Sequence, residues 1–241
     1  MRTEILGVEF DNLTMTEAAS KDVELMERRG AYTVTPNPEI VRMCRDNAAL
    51  KEAVARADLV VPDGIGVIYG AKILGTPLKE RVPGIDLATA LLGVMSEKGK
   101  SLYLLGAKPG VAEKAAGTIS TQFPGVEICG TADGDFKDDG PVSEKINAAA
   151  PDLLLVCLGA PKQEIWMHKN ASRLDVGLMI GLGGVLDVFA GEVQRAPEGW
   201  QRLGLEWLYR LIKQPWRIKR MIKLPVFLFE AVGERIRGKK K

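Results

Sequence analysis

With 241 residues, 46 % of them hydrophobic, the chain is long enough for one large α/β domain or a domain plus an appendage. Three cysteines show no C-x-x-C spacing, and Cys129 and Cys157, in apolar runs, read as reduced core residues of a cytosolic protein. The net charge of +2 hides an asymmetry: from Arg195 onward 13 Lys+Arg face 4 Asp+Glu, a net of +9 on a body of net −7, so the tail is expected to meet something anionic.

Residues 4–10 are expected to form a first strand or hairpin arm. Thr14-x-x-Glu17 has capping-box spacing and opens an amphipathic helix to about Arg29. Residues 31–35 (AYTVT) read as a strand stopped by Pro36-Asn37-Pro38, with Pro38 in the first turn of a helix over residues 39–45. Thr35 and Asn37 therefore stand at a strand's carboxyl end, where open α/β sheets bind ligands. A helix over residues 47–57 follows. The apolar run Leu59 to Val61 then reads as a buried strand that Pro62 stops, which delivers Asp63 to the same kind of edge. Gly64 and Gly66 free the backbone before a helix over residues 65–74. Taken alone, an Asp-Gly pair is a helix cap.

Residues 81–86 (RVPGID) read as a loop, with Asp86 capping a helix over residues 87–98. A strand over residues 101–105 runs into Gly106-Ala107-Lys108-Pro109-Gly110 and a helix to about Gln122. Such a turn can hold a phosphate on free backbone N–H groups, although it lacks the Lys-Ser/Thr ending of a P-loop. Strands over residues 126–131, 153–158 and 177–180 end in Asp133-Gly134-Asp135, Gly159 to Glu164, and Gly181-Leu182-Gly183-Gly184. The alternation predicts an α/β fold: a Rossmann-like, mostly parallel sheet with helices on both faces, one domain over residues 1–194.

Residues 195–241 change character. Residues 200–213 read as a helix that Pro215 interrupts; residues 216–224 resume it, and Pro225 interrupts again. Short amphipathic helices carrying Trp, Phe and interleaved Arg/Lys fit an interfacial membrane segment, and an ordinary helical appendage packed on the domain is the even alternative. No signal peptide is expected, and no uncharged apolar run reaches the ~18 residues that span a bilayer. An apolar tail without a membrane also predicts self-association, a homo-oligomer in solution.

Other constellations carry less. Asp133-x-Asp135 has the spacing by which sugar-nucleotide transferases hold a divalent metal, but such triplets are common in turns, and no metal site is expected there. The third glycine of a dinucleotide fingerprint is Leu186 here, so no dinucleotide cofactor is expected. His168, the only histidine, has no nucleophilic serine partner and reads as a helix-surface residue; no Cys/His group has zinc spacing. Arg210, Lys213, Arg217 and Arg220 recur at helical spacing as a solvated basic face, with Trp207 and Trp216 raising the prospect of an anion site.

In order, Thr35-Pro36-Asn37-Pro38-Glu39, Pro62-Asp63-Gly64-Ile65-Gly66, Arg81-Val82-Pro83-Gly84-Ile85-Asp86, Leu105 to Gly110, Leu158 to Glu164, Gly183-Gly184-Val185-Leu186-Asp187, Gln194-Arg195-Ala196-Pro197, Gly204-Leu205-Glu206-Trp207 and Tyr209-Arg210-Leu211 resemble the WecG/TagA/CpsF family of bacterial glycosyltransferases. The likeness covers nearly the whole chain and is closest to the TagA-type members. It implies an inverting transfer of N-acetylmannosamine from UDP-ManNAc to the 4-hydroxyl of undecaprenyl-diphosphate-linked GlcNAc. That step belongs to wall teichoic acid linkage-unit synthesis at the cytoplasmic face of the cell membrane. It implies no metal and no cofactor; where this chain has Asp135, relatives often carry an aromatic residue.

On that resemblance, Asp63 is the expected general base. An exposed Asp, with pKa ~3.9, is a poor base near neutrality, so closure over the site is expected to raise it. Thr35 and Asn37 would orient sugar hydroxyls or the donor phosphate, and Arg81 and Gln163 would hold donor or acceptor groups. Gly106, Ala107 and Lys108, with Gly183, Gly184 and Asp187, would line the UDP pocket. Arg210, Arg217 and Arg220 would stabilise the leaving diphosphate. The tail, residues 195–241, would thus meet an anionic membrane surface and complete the active site. Other donors, UDP-N-acetylmannosaminuronic acid or UDP-glucose, are the near alternative. A basic-tailed nucleic-acid-binding protein is the remote one, and no nucleic acid partner is expected.

Overall fold

The computed structural model describes residues 2–213, Pro215, Ile218 and residues 223–238, with the backbone alone for Arg202, Arg210 and Gly238. A hairpin of β1 (Arg2–Ile5) and β2 (Val8–Asp11) forms a two-stranded sheet of its own. Helix α1 (Met15–Arg28) starts as its sequence dictates: Glu17 N–H donates to Thr14 Oγ1 at 3.2 Å, and Thr14 N–H donates to Glu17 Oε2 at 2.7 Å. Then come β3 (Ala31–Val34), α2 (Pro38–Asp46), α3 (Ala48–Ala55), β4 (Leu59–Val60), α4 (Ile65–Leu74) and α5 (Gly84–Lys98). The second half runs β5 (Ser101–Gly106), α6 (Val111–Gln122), β6 (Glu127–Ala132), α7 (Gly140–Ala149), β7 (Leu153–Cys157), α8 (Lys162–Asn170), β8 (Leu178–Gly181) and α9 (Val185–Phe189). Helices α10 (Glu198–Arg202), α11 (Glu206–Lys213) and α12 (Lys223–Gly238) form the tail.

The main sheet has six strands in the order β4-β3-β8-β7-β5-β6, all parallel. Strands β7 (LLLVC) and β8 (LMIG) are buried throughout, as central strands covered on both faces must be. Helices α2, α3, α4, α7, α8 and α12 share one apolar cluster, and α1, α5, α6 and α9 share the other. The chain therefore leaves β3 and β7 toward one face and β5 and β8 toward the opposite face. Diverging neighbours of this kind open crevices at the carboxyl edge, the usual ligand position in such sheets.

Several local expectations are corrected. Helix α5 begins at Gly84 with Pro83 as its cap, so Asp86 lies inside the first turn and pairs with Arg195 at 2.6 Å instead of capping. Helix α7, unforeseen in sequence, buries only Val142 and Ile146, too short an apolar stripe to announce itself. Residues 200–213 form two helices, because Gly204 takes a left-handed φ of 70° between α10 and α11. Pro225 interrupts nothing: it sits in the first turn of α12, where a missing N–H costs no helical bond. His168, at half-burial on α8, is not a plain surface residue, since its Nδ1 lies 3.1 Å from the Tyr32 hydroxyl.

The glycines of α4 serve packing rather than turning. Phe227 and Ala231 of α12 are fully buried, and a Cβ on Gly70 would stand 2.6 Å from the Phe227 ring. Ion pairs surround this seam: Glu230 lies 3.3 Å from Arg42 Nε and 3.2 Å from Arg45, and Lys223 lies 2.7 Å from Glu39. The tail thus rests on the helix that begins just after Asp63.

Beneath β3, Asp22 of α1 is fully buried and accepts the Thr33 hydroxyl at 2.6 Å, while its Oδ2 has no hydrogen-bond partner. Burial outweighs the Thr33 hydrogen bond and pushes its pKa up to about 7. In the unfolded chain Asp22 ionises near pH 4, so up to pH 7 this residue binds fewer protons there than in the fold. The contribution of Asp22 to stability therefore falls as pH rises across that window and levels off above it. The expected loss is on the order of 4 kcal/mol. Thermal unfolding from pH 4 to 8 should show Asp22→Asn removing most of that decline; equal slopes in both proteins would contradict the assignment.

Candidate active site

Three loops meet at the carboxyl edge beside β3 and β4. Asp63 N–H donates to Pro36 O at 3.2 Å, and Val82 N–H donates to Pro62 O at 2.9 Å, so the Asp63 turn is stitched on both sides. Thr35 is buried and its hydroxyl donates to Gly181 O at 3.0 Å, which joins the ends of β3 and β8. Gly84 completes the enclosure by lacking a side chain: a Cβ there would stand 2.9 Å from Leu182 Cδ2 and 3.5 Å from Thr35 Oγ1. Asn37 caps α2, its Oδ1 accepting Ile40 N–H at 3.1 Å, which leaves its Nδ2 for other partners. Asp63 is half-buried and does not cap α4, whose cap position is Gly64. The structure thus brings Thr35, Asn37 and Asp63 to one place, on elements whose backbones hold one another.

Farther along the edge lie the glycine turns. Gly106 and Ala107 both take left-handed φ, 126° and 60°, before exposed Lys108 and the start of α6. Ala107 N–H donates to Cys157 O at 3.1 Å, and Gly134 N–H donates to Ala107 O at 2.9 Å. After β8, Gly183 turns at φ 56°, Gly184 follows, and Asp187 enters the first turn of α9 half-buried. Gln163 is buried between Gly159 and Gly183, with both ends of its amide bonded to protein. In the Asp133-Gly134-Asp135 turn, Asp133 Oδ1 accepts Asp135 N–H at 2.9 Å, an ordinary Asx turn. Lys162 Nζ donates to Gly134 O at 3.0 Å and lies 4.3 Å above the Phe136 ring. Among the described residues no three His, Cys, Asp or Glu side chains are grouped for a metal.

Arg81 is tied into the tail. Its Nη1 lies 2.6 Å from Glu206 Oε2; Arg195 Nε lies 3.6 Å from the other Glu206 oxygen and pairs through Nη1 with Asp86 at 2.6 Å. Two members of this alternating chain, Arg81 and Asp86, line a cleft of about 560 Å³ between the tail and α4, together with Ile65, Tyr69, Gln201 and Leu203. Gly204 packs against Ile65, two residues from Asp63, where a Cβ would stand 2.9 Å from Ile65 Cγ1. Nothing local in the sequence couples Arg81 to Glu206, 125 positions away. Arg217 and Arg220 lie outside the described residues, as does the side chain of Arg210.

Comparison with known proteins follows the same outline. Residues 3–241 match the family described as "Glycosyl transferase WecG/TagA/CpsF family". A relative from Bacillus spizizenii, named N-acetylglucosaminyldiphosphoundecaprenol N-acetyl-beta-D-mannosaminyltransferase, is 40 % identical over 204 residues, covering 85 % of this chain and 79 % of its own. Relatives of the same name are 38 % identical in Bacillus subtilis (86 % of this chain, 81 % of theirs) and 32 % identical in Staphylococcus aureus strain MW2 (99 % and 95 %). A match across nearly the whole chain, with identities this high, shows that the chain belongs to the WecG/TagA/CpsF family of glycosyl transferases.

Proposed function

We propose that the chain transfers N-acetylmannosamine from its UDP donor to the 4-hydroxyl of N-acetylglucosamine on polyprenyl diphosphate, with inversion, as in linkage-unit synthesis for wall teichoic acid. The observation that carries this is the strand-held Asp63, gathered with Thr35 and Asn37 at the carboxyl edge of a chain whose relatives are named as N-acetyl-beta-D-mannosaminyltransferases of N-acetylglucosaminyldiphosphoundecaprenol. The acceptor oxygen attacks the anomeric carbon as the bond to the UDP oxygen breaks. The hydroxyl proton passes to the Asp63 carboxylate, and UDP leaves with the added negative charge. Thr35, with hydroxyl lone pairs to spare, and Asn37, through Nδ2, orient the sugars. Gly106, Ala107, Lys108, Gly183, Gly184 and Asp187 line the UDP pocket, while Arg210, Arg217 and Arg220 stabilise the departing diphosphate.

The tail supplies the other half of the proposal. The cleft between it and α4 takes in Ile65, two residues past Asp63, and we assign it to an acceptor arriving from a lipid surface. Among the described residues, every exposed large hydrophobic except Tyr69 lies at or beyond Leu203, and Phe229, Val232 and Ile236 share α12. With the net charge of +9 from Arg195 onward, such a stripe fits a peripheral site on the anionic cytoplasmic face of the membrane. No described helix is long and apolar enough to cross a bilayer. Away from lipid, the same stripe is expected to drive self-association.

The test is UDP release with a lipid-diphosphate GlcNAc acceptor, across UDP-ManNAc, UDP-N-acetylmannosaminuronic acid and UDP-glucose, with and without EDTA. Acceptor-dependent release from UDP-ManNAc that survives EDTA is expected. Preference for another donor would move the chain within its family, and loss of release in EDTA would reopen a metal role.

A further inference from the structure

Gln163 and Glu164 open α8 just past β7, and both side chains turn inward: Gln163 is 3 % exposed and Glu164 1 %. The side-chain oxygen of Gln163 accepts two backbone N–H groups, from Gly159 at 3.1 Å and from Gly183 at 2.9 Å. Gly159 follows β7 and Gly183 follows β8, neighbouring strands whose chains leave toward opposite faces of the sheet. One amide thus spans the crevice and sets the spacing of two glycine turns.

That amide cannot point either way. It offers an acceptor at one end and a donor at the other, so with Oε1 on two N–H groups, Nε2 must meet an acceptor. Glu164 Oε1 stands 2.8 Å from it. The other Glu164 oxygen is buried with no hydrogen-bond partner, and burial pushes the carboxyl pKa up. Cys44 of α2 is the titratable group that senses Glu164; its thiol is pushed up to about 11, chiefly by burial and then by that acid. A buried acid with one partner is costly compared with an apolar side chain of similar volume. What an apolar side chain could not supply is the acceptor that fixes Gln163.

We infer that Glu164 is a positioning residue of the transferase: it acts through Gln163 to hold the Gly159 and Gly183 turns at the spacing the donor requires, and Gln163 touches protein rather than substrate. This rests on the proposal that these turns line the donor pocket.

Three variants test it, each with two readouts. Glu164→Met removes the acceptor at similar volume. Its KM for the UDP-sugar should rise about 10-fold with kcat nearly unchanged, the size of one lost hydrogen bond. Glu164→Gln keeps an oxygen for Gln163 and should restore KM. Gln163→Glu puts two acids face to face, which bind only while they share a proton, so its KM should climb with pH where the wild type's stays flat. Amide hydrogen exchange at Gly159 and Gly183 in the free protein gives a readout independent of activity: faster in Glu164→Met and Gln163→Glu at high pH, unchanged in Glu164→Gln. Unaltered exchange and KM in Glu164→Met would overturn the inference, as would equal losses in Met and Gln variants with a lowered Tm. A wild type that releases no UDP while the exchange pattern holds would defeat the proposed function and leave the positioning intact.

Discussion

Asp63→Asn should cut turnover by roughly 10²- to 10⁴-fold, the usual cost of losing a general base, while UDP binding stays nearly unchanged. The separation follows from how the residue is held. The Asp63 turn is fixed by backbone hydrogen bonds, Asp63 N–H to Pro36 O and Val82 N–H to Pro62 O, so an isosteric amide has no reason to move it. Gly64, not Asp63, occupies the cap position of α4, so the substitution does not weaken that helix. Asparagine keeps the shape but gives up the negative charge and, with it, the capacity to take a proton. Single-turnover rates with saturating acceptor, set beside the Kd for UDP, check this. Turnover within a few-fold of wild type would remove Asp63 from the base role.

Removing the tail should be nearly as damaging, for a different reason. A chain ending at residue 194 loses the Glu206 and Arg195 partners of Arg81 and Asp86, and it bares the α4 face that Phe227 and Ala231 cover. Turnover should fall at least about 100-fold, since loss of even one preorganised donor to a developing charge costs 10²–10³. Binding to anionic liposomes should weaken as well. Phe227→Ala separates packing from chemistry: a fully buried aromatic truncated to alanine costs about 3–5 kcal/mol. If the tail completes the site, this variant loses activity at temperatures where circular dichroism still reports a folded sheet. A truncated chain with full activity would refute the role of residues 195–241.

Much of this was legible in the sequence because short-range signals carry it. The Thr14/Glu17 box, the Pro36-Asn37-Pro38 stop and the Pro62-Asp63-Gly64 stop each fix a local geometry, and the structure places Thr35, Asn37 and Asp63 together as parallel strand ends require. Long-range couplings were not legible. The Arg81–Glu206 pair spans 125 positions, and strand order decides which loops adjoin. Gly66 read as backbone freedom, and Gly70 drew no reading, because the sequence does not show that α12 would lie against them. Gln163 was expected to hold donor or acceptor groups; its burial, and the hydrogen bonds that its amide makes to Gly159, Gly183 and its neighbour Glu164, are visible only in three dimensions.

The central claim is that this chain moves one N-acetylmannosamine onto a lipid-diphosphate acceptor with inversion, and product analysis tests it most directly. Incubated with UDP-ManNAc and polyprenyl-diphosphate-linked GlcNAc, the wild-type chain should yield, by mass spectrometry, an acceptor one N-acetylhexosamine heavier. The anomeric carbon–proton coupling of that product should report a β linkage at the 4-hydroxyl. An unchanged acceptor, or an α-linked product, would contradict the account.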